Sequence, residues 1–131
     1  MENQFGKTVL AAVDDLMFQV KISGAAKHAG VTLKYVTTEK DLFEKAAAGP
    51  ALIIFDLTFE AVSPVESIRK LKGTGALKHI SILGYLPHVQ TGLQKLALEA
   101  GCDTVMPRSE FSLNLSRILM QHAGAGVWHP C

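Results

Sequence analysis

The chain has 131 residues, 48% of them hydrophobic, with 13 Lys and Arg against 12 Asp and Glu. That is enough for one domain with a buried core, and the charge balance gives no bulk field to attract nucleic acid or an anionic membrane. No apolar run approaches the ~20 residues that span a bilayer, residues 1–7 lack a basic-then-apolar leader, and two cysteines, Cys102 and Cys131, are too few for a disulfide framework, so the expected location is the cytoplasm.

Residues 8–13 (TVLAAV) form an apolar run with strand composition, and Asp14 and Asp15 follow it directly. From 16 to 29 the period changes. Phe18, Ile22, Ala25 and Ala29 fall on one helical face, and Gly30 is a helix stop. Residues 31–36 are a short strand. Thr37 and Thr38 offer caps to a helix with Glu39 and Asp41 in its first turn, which ends at Gly49-Pro50.

Residues 51–55 (ALIIF) are apolar without alternation and run into Asp56. A strand apolar on both faces belongs inside a sheet covered on both sides. Ser63-Pro64-Val65-Glu66 has the composition of a capping box, with proline at the first helical position. Residues 80–83 (ISIL) are the next strand, and Thr91-Gly92-Leu93-Gln94 is a second capping-box candidate before a helix closed by Gly101. Residues 104–106 are the last strand. Ser109 or Glu110 opens the last helix, which buries Phe111, Leu115, Ile118 and Leu119.

Strand and helix alternate five times, which predicts an α/β fold. The expected architecture is a flavodoxin-like (βα)5 three-layer sandwich around a parallel five-stranded sheet of order 2-1-3-4-5. Residues 1–122 are read as one domain and 123–131, with Trp128, His129 and Cys131, as a mobile C-terminal tail. The tail's spacing matches no zinc pattern, and packing accounts for Cys102. In the 2-1-3-4-5 order Asp14, Asp15 and Asp56 meet at the strand C-termini. Three carboxylates at one point repel and need a cation, and oxygen-only donors suit a hard ion such as Mg²⁺. A carboxylate beside such an ion can attack phosphorus and become an aspartyl phosphate. His88, in the loop after the fourth strand, is a further contact candidate.

Over about residues 7–121 the chain resembles a response-regulator receiver domain of bacterial two-component signalling. The residues that carry the resemblance are the acidic pair after Val13, Asp56 in IFDL, and Leu98-Glu99-Ala100-Gly101-Cys102-Asp103, similar to the family's Glu-Ala-Gly-Ala-Asp signature. The resemblance implies a phosphorelay role, with Asp56 as phosphoacceptor and Asp14, Asp15 and Asp56 as ligands of Mg²⁺. It is atypical. Where the family has Thr or Ser at the end of the fourth strand, the match is Gly84. Arg108 aligns with the family's lysine, and Val105 with its aromatic switch residue.

The expected function is that of a stand-alone signalling receiver, not an enzyme, whose partner is a sensor histidine kinase or another signalling protein. No nucleic acid or membrane partner is expected, and a homodimer could form through the last helices. One alternative is a phosphorylation-independent pseudo-receiver acting through the face of the 91–100 helix and the last strand and helix. A small aspartate-nucleophile phosphatase is another, but Thr58 stands where that chemistry needs an acid.

Overall fold

The apolar runs and the helical stripes do fold as alternating elements. The computed structural model describes residues 7–88 and 90–123. Five strands, β1 (Thr8–Ala12), β2 (Thr32–Tyr35), β3 (Leu52–Asp56), β4 (Ser81–Leu86) and β5 (Thr104–Pro107), alternate with five helices. The helices are α1 (Leu16–Ala29), α2 (Glu39–Ala46), α3 (Pro64–Gly73), α4 (Thr91–Ala100) and α5 (Arg108–Ala123), with a 3-10 turn at Glu60–Val62 before α3. The strands are parallel in the order β2-β1-β3-β4-β5. The expected flavodoxin-like sheet is therefore observed.

Side-chain alternation along the strands builds two separate cores. Val9, Ala11, Leu52, Ile54, Leu83 and Tyr85 face α1 and α5 and pack on Phe18, Ile22, Phe111 and Leu115. Leu10, Ala12, Ile53, Phe55, Leu57, Ile82 and Leu86 face the other layer, against Leu42, Ile68, Leu71 and Ala97. β3 is buried at every position, because it is central and covered on both sides.

Helix ends follow the sequence unevenly. Gly30 and Gly101 close α1 and α4 in the left-handed conformation, and Thr38 caps α2 by accepting from Asp41 N at 3.0 Å. The two capping boxes do not form. Ser63 lies at φ 45°, its side chain makes no cap bond, and its hydroxyl and Lys70 hold the Glu39 carboxylate below its ordinary range instead. Thr91 is itself helical, after an uncapped Gln90. α5 starts at Arg108, one residue before the expected start, and the Trp128, His129 and Cys131 tail lies outside the described residues. Among the described residues no helix is long and apolar enough to cross a membrane.

Cys102 is buried and its Sγ lies 3.2 Å from the Thr104 carbonyl oxygen. Burial pushes its thiol up to about 11. At pH 8 that leaves about one thiolate in a thousand. In a Cys131→Ser variant, iodoacetamide should therefore leave Cys102 unmodified in the folded chain and alkylate it in urea. Rapid alkylation of the native protein would contradict this packing.

Candidate functional site

The strand C-termini bring the predicted acids to one edge. Asp14 and Asp15 follow β1, and Asp56 ends β3 beside it, since Ala12 pairs with Phe55. An open cleft of about 470 Å³ is lined by Asp14, Asp15, Asp56, Thr58, Phe59 and Glu60. Asp56 is 7% exposed, whereas Asp14 and Asp15 are exposed. A sharp turn fixes Asp56, because the Thr58 amide and hydroxyl donate to its Oδ1 at 2.9 and 2.6 Å. Both bonds use the same oxygen, so Oδ2 is the atom free to react.

Asp15 has other partners. It caps α1, accepting from Phe18 N at 3.1 Å, and its Oδ2 lies 3.7 Å from a guanidinium nitrogen of Arg108. That guanidinium also sits over the Phe18 ring, 5.7 Å from its centroid. Arg108 does reach the acidic site as the alignment implied. Its pair with Asp15 is more than a third exposed on both sides, and such pairs contribute only ~0–1 kcal/mol.

The three carboxylates expected to hold a metal are brought to one cleft without being locked together. Asp14, Asp15 and Asp56 share one cleft and offer only oxygen, the donor type a hard divalent cation takes. They do not form a ready cage: among the described residues no three His, Cys, Asp or Glu side chains are grouped to hold an ion. The cap on α1 and Arg108 hold Asp15, and Thr58 holds one oxygen of Asp56.

The fourth strand runs further than its apolar run implied. β4 extends to Leu86, three residues past the apolar run 80–83. Within it Asp56 pairs with Tyr85, while Gly84 pairs with Phe55 and Val105. A Cβ on Gly84 would point at Leu57, in the α3 and α4 layer. The β4 residue on the Asp56 side is thus Tyr85. Val105 packs on the same layer as Leu57 and, with Leu86, Gln94 and Pro107, borders a small void of about 30 Å³. His88 is exposed and is not among the residues lining the cleft. Thr58, Glu60, Phe18 and Tyr85 were not anticipated. Only Thr58 carried a local signal, as a hydroxyl two residues after an aspartate.

No family model matches the chain, and no curated relative does either. Solved structures match over nearly its whole length. The receiver domain of a sensor histidine kinase from Pseudomonas aeruginosa, crystallised with a magnesium ion coordinated in its active-site cleft, superposes with a TM-score of 0.76 at 17% identity, covering 90% of this chain and 98% of that one. A CheY-like receiver domain protein from Methanospirillum hungatei gives 0.75 at 14% identity, over 88% and 92%. A response regulator from Hahella chejuensis gives 0.74 at 22%, over 89% and 92%. The chain has the fold of response-regulator receiver domains.

Proposed function

We propose that the chain is a signalling receiver whose Asp56 accepts a phosphoryl group. The observation that carries this reading is the state of Asp56: nearly buried at the end of the central strand, fixed through Oδ1, and open at Oδ2 to a cleft of about 470 Å³. In the reaction Oδ2 attacks the phosphorus of an acyl phosphate or a phosphohistidine. The bond from phosphorus to the donor oxygen or nitrogen breaks, and the donor leaves with that electron pair. Fixing the carboxylate beforehand removes orientational entropy from the step.

Magnesium and manganese appear with similar receiver structures. In this chain Asp14, Asp15 and Asp56 would hold Mg²⁺, whose charge would offset that of the phosphoryl oxygens. Arg108 stands beside the same acids as a fixed cation that can pair with phosphoryl oxygen. A donor protein reaching Asp56 would pass the first turns of α1, where Leu16, Met17 and Val20 are 72, 77 and 65% exposed. The signal would leave by protein contact. The exposed Leu96 and Leu98 of α4 fit such a face, as do Leu113 and Met120 of α5 for a homodimer.

Incubation with acetyl phosphate and Mg²⁺ should add one phosphoryl group by intact mass, and Asp56→Asn should add none. An unchanged wild-type mass, together with no change on beryllofluoride addition, would remove this reading. It would favour the phosphorylation-independent module, which the Arg108–Asp15 contact also suits.

A further inference from the structure

Among the described residues Tyr85 is the largest fully buried side chain. Among the described residues its hydroxyl is the buried side-chain polar atom that has no hydrogen-bond partner. Buried hydroxyls are almost always bonded, so an orphan calls for a use. The ring cannot easily turn to find a partner. It stacks on Phe111 with centroids 5.0 Å apart and planes 10° apart, and it packs against Phe18 at 5.1 Å. Phe18 is the residue whose amide Asp15 caps, and Phe111 lies one turn after Arg108 in α5. The clamp on the ring is therefore built from the same two helix starts that position the charged residues of the cleft.

Tyr85 also belongs to the site by register. It pairs with Asp56 across β3 and β4, and the Leu57 amide donates to the Tyr85 carbonyl oxygen at 3.0 Å. We infer that the Tyr85 hydroxyl is a donor held for an anionic, phosphoryl-like oxygen carried on Asp56. In the free site the Tyr85 hydroxyl makes no bond to Asp56, whose bonds are to Thr58 through Oδ1. A tetrahedral group on Oδ2 would add three anionic oxygens at the strand end that Tyr85 shares with Asp56. Burial, and then the charges of Asp56 and Asp15, push the phenol far above its ordinary range, so it stays protonated and can only donate to an anion.

The inference rests on Asp56 being the acceptor, and the test separates the two. Tyr85→Phe keeps the ring and its stacking and removes only the oxygen. Wild type and variant are titrated with beryllofluoride and Mg²⁺, followed by NMR shifts near Asp56, and each is melted without ligand. The expected pair of results is opposite in sign. Affinity falls about tenfold or more, as for a hydrogen bond to a charged group, while the ligand-free variant melts at the same or a higher temperature because no orphan hydroxyl remains. A tyrosine of purely structural value would lower the melting temperature and leave affinity alone. Equal affinities in the two proteins overturn the role of Tyr85 while Asp56 stands. A wild type that does not respond at all overturns the Asp56 reading, and this one with it.

Discussion

Gly84→Thr destabilises the fold by about 3 kcal/mol and does not improve phosphoryl acceptance. The substitution is the natural attempt to restore a hydroxyl where receiver domains carry one, and the register shows why it fails. A Cβ at Gly84 would lie 2.9 Å from both methyl carbons of Leu57 and 3.0 Å from its Cγ. Leu57 is 2% exposed and belongs to the same apolar layer as Val62, Ile68 and Leu71, so its methyls must shift towards the groove it borders with Pro64 and Leu93. Overpacking of this kind costs ~1–3 kcal/mol, and a hydroxyl in an apolar layer adds ~1–3 kcal/mol. Against this stands the better strand propensity of threonine over glycine, worth at most ~1 kcal/mol. The penalty wins. The new oxygen would also lie on the face of the sheet away from Tyr85. Urea denaturation measures the first effect, and intact mass after acetyl phosphate the second. The double variant Leu57→Ala/Gly84→Thr should be more stable than the sum of its single changes implies, because the cavity receives the new side chain. Full native stability in Gly84→Thr would refute the placement of Leu57.

The same strand shows where sequence reading stops. Element order and sheet order were legible, because each depends on local signals: a five-residue apolar run before Asp56, a 3.6-residue stripe from Phe18 to Ala29, and glycines at 30 and 101 that only a left-handed closure explains. The gathering of Asp14, Asp15 and Asp56 at one cleft was legible too, since it follows from strand order alone. The end of β4 was not. Gly84 interrupts the run Ile80 to Leu83 and reads as a strand end. In the folded chain it is a strand interior residue, kept small by Leu57, a contact made across strands and invisible locally. The longer strand makes Tyr85, invisible as a site residue in the sequence, the register partner of Asp56. Ser63 failed for a related reason. Its local pattern favours a cap, but Glu39, distant in sequence, takes its hydroxyl. The carboxylates gather as a group, as their strand order implies, but their other partners, Arg108 and the Phe18 amide, depend on side-chain geometry that spacing does not carry.

Gly101→Ala is expected to cost about 3–4 kcal/mol, and its cause gives the Leu98–Asp103 signature a physical meaning. Gly101 sits at φ 114°, a conformation that costs an L-residue ~1–3 kcal/mol. Its Cα also faces the Lys72 stem, so an added Cβ would come within 2.6 Å of Lys72 Cγ and 3.1 Å of its Cβ. Lys72 could swing aside only by giving up its bonds. Its Nζ donates to the Ile80 carbonyl at 2.9 Å, to Asp103 Oδ2 at 2.9 Å and to the Lys78 carbonyl at 3.2 Å. Asp103 Oδ2 in turn accepts from Ile82 N at 2.8 Å, at the start of β4. The glycine thus leaves room for a lysine that ties α3, β4 and the β5 approach together. Asp103 is half exposed, so its ion pair with Lys72 adds little; the bonds to backbone carry the effect. Steric conflict accounts for about half of the penalty, and that half should disappear when the lysine stem is removed. In a Lys72→Ala background Gly101→Ala should cost only the backbone strain, ~1–3 kcal/mol, giving a coupling of about 1–2 kcal/mol in a urea double-mutant cycle. Equal costs in the two backgrounds would show that the backbone conformation alone demands glycine. The phosphoryl site, on the opposite strand ends from the Lys72 cluster, should keep its acceptance in every variant that remains folded.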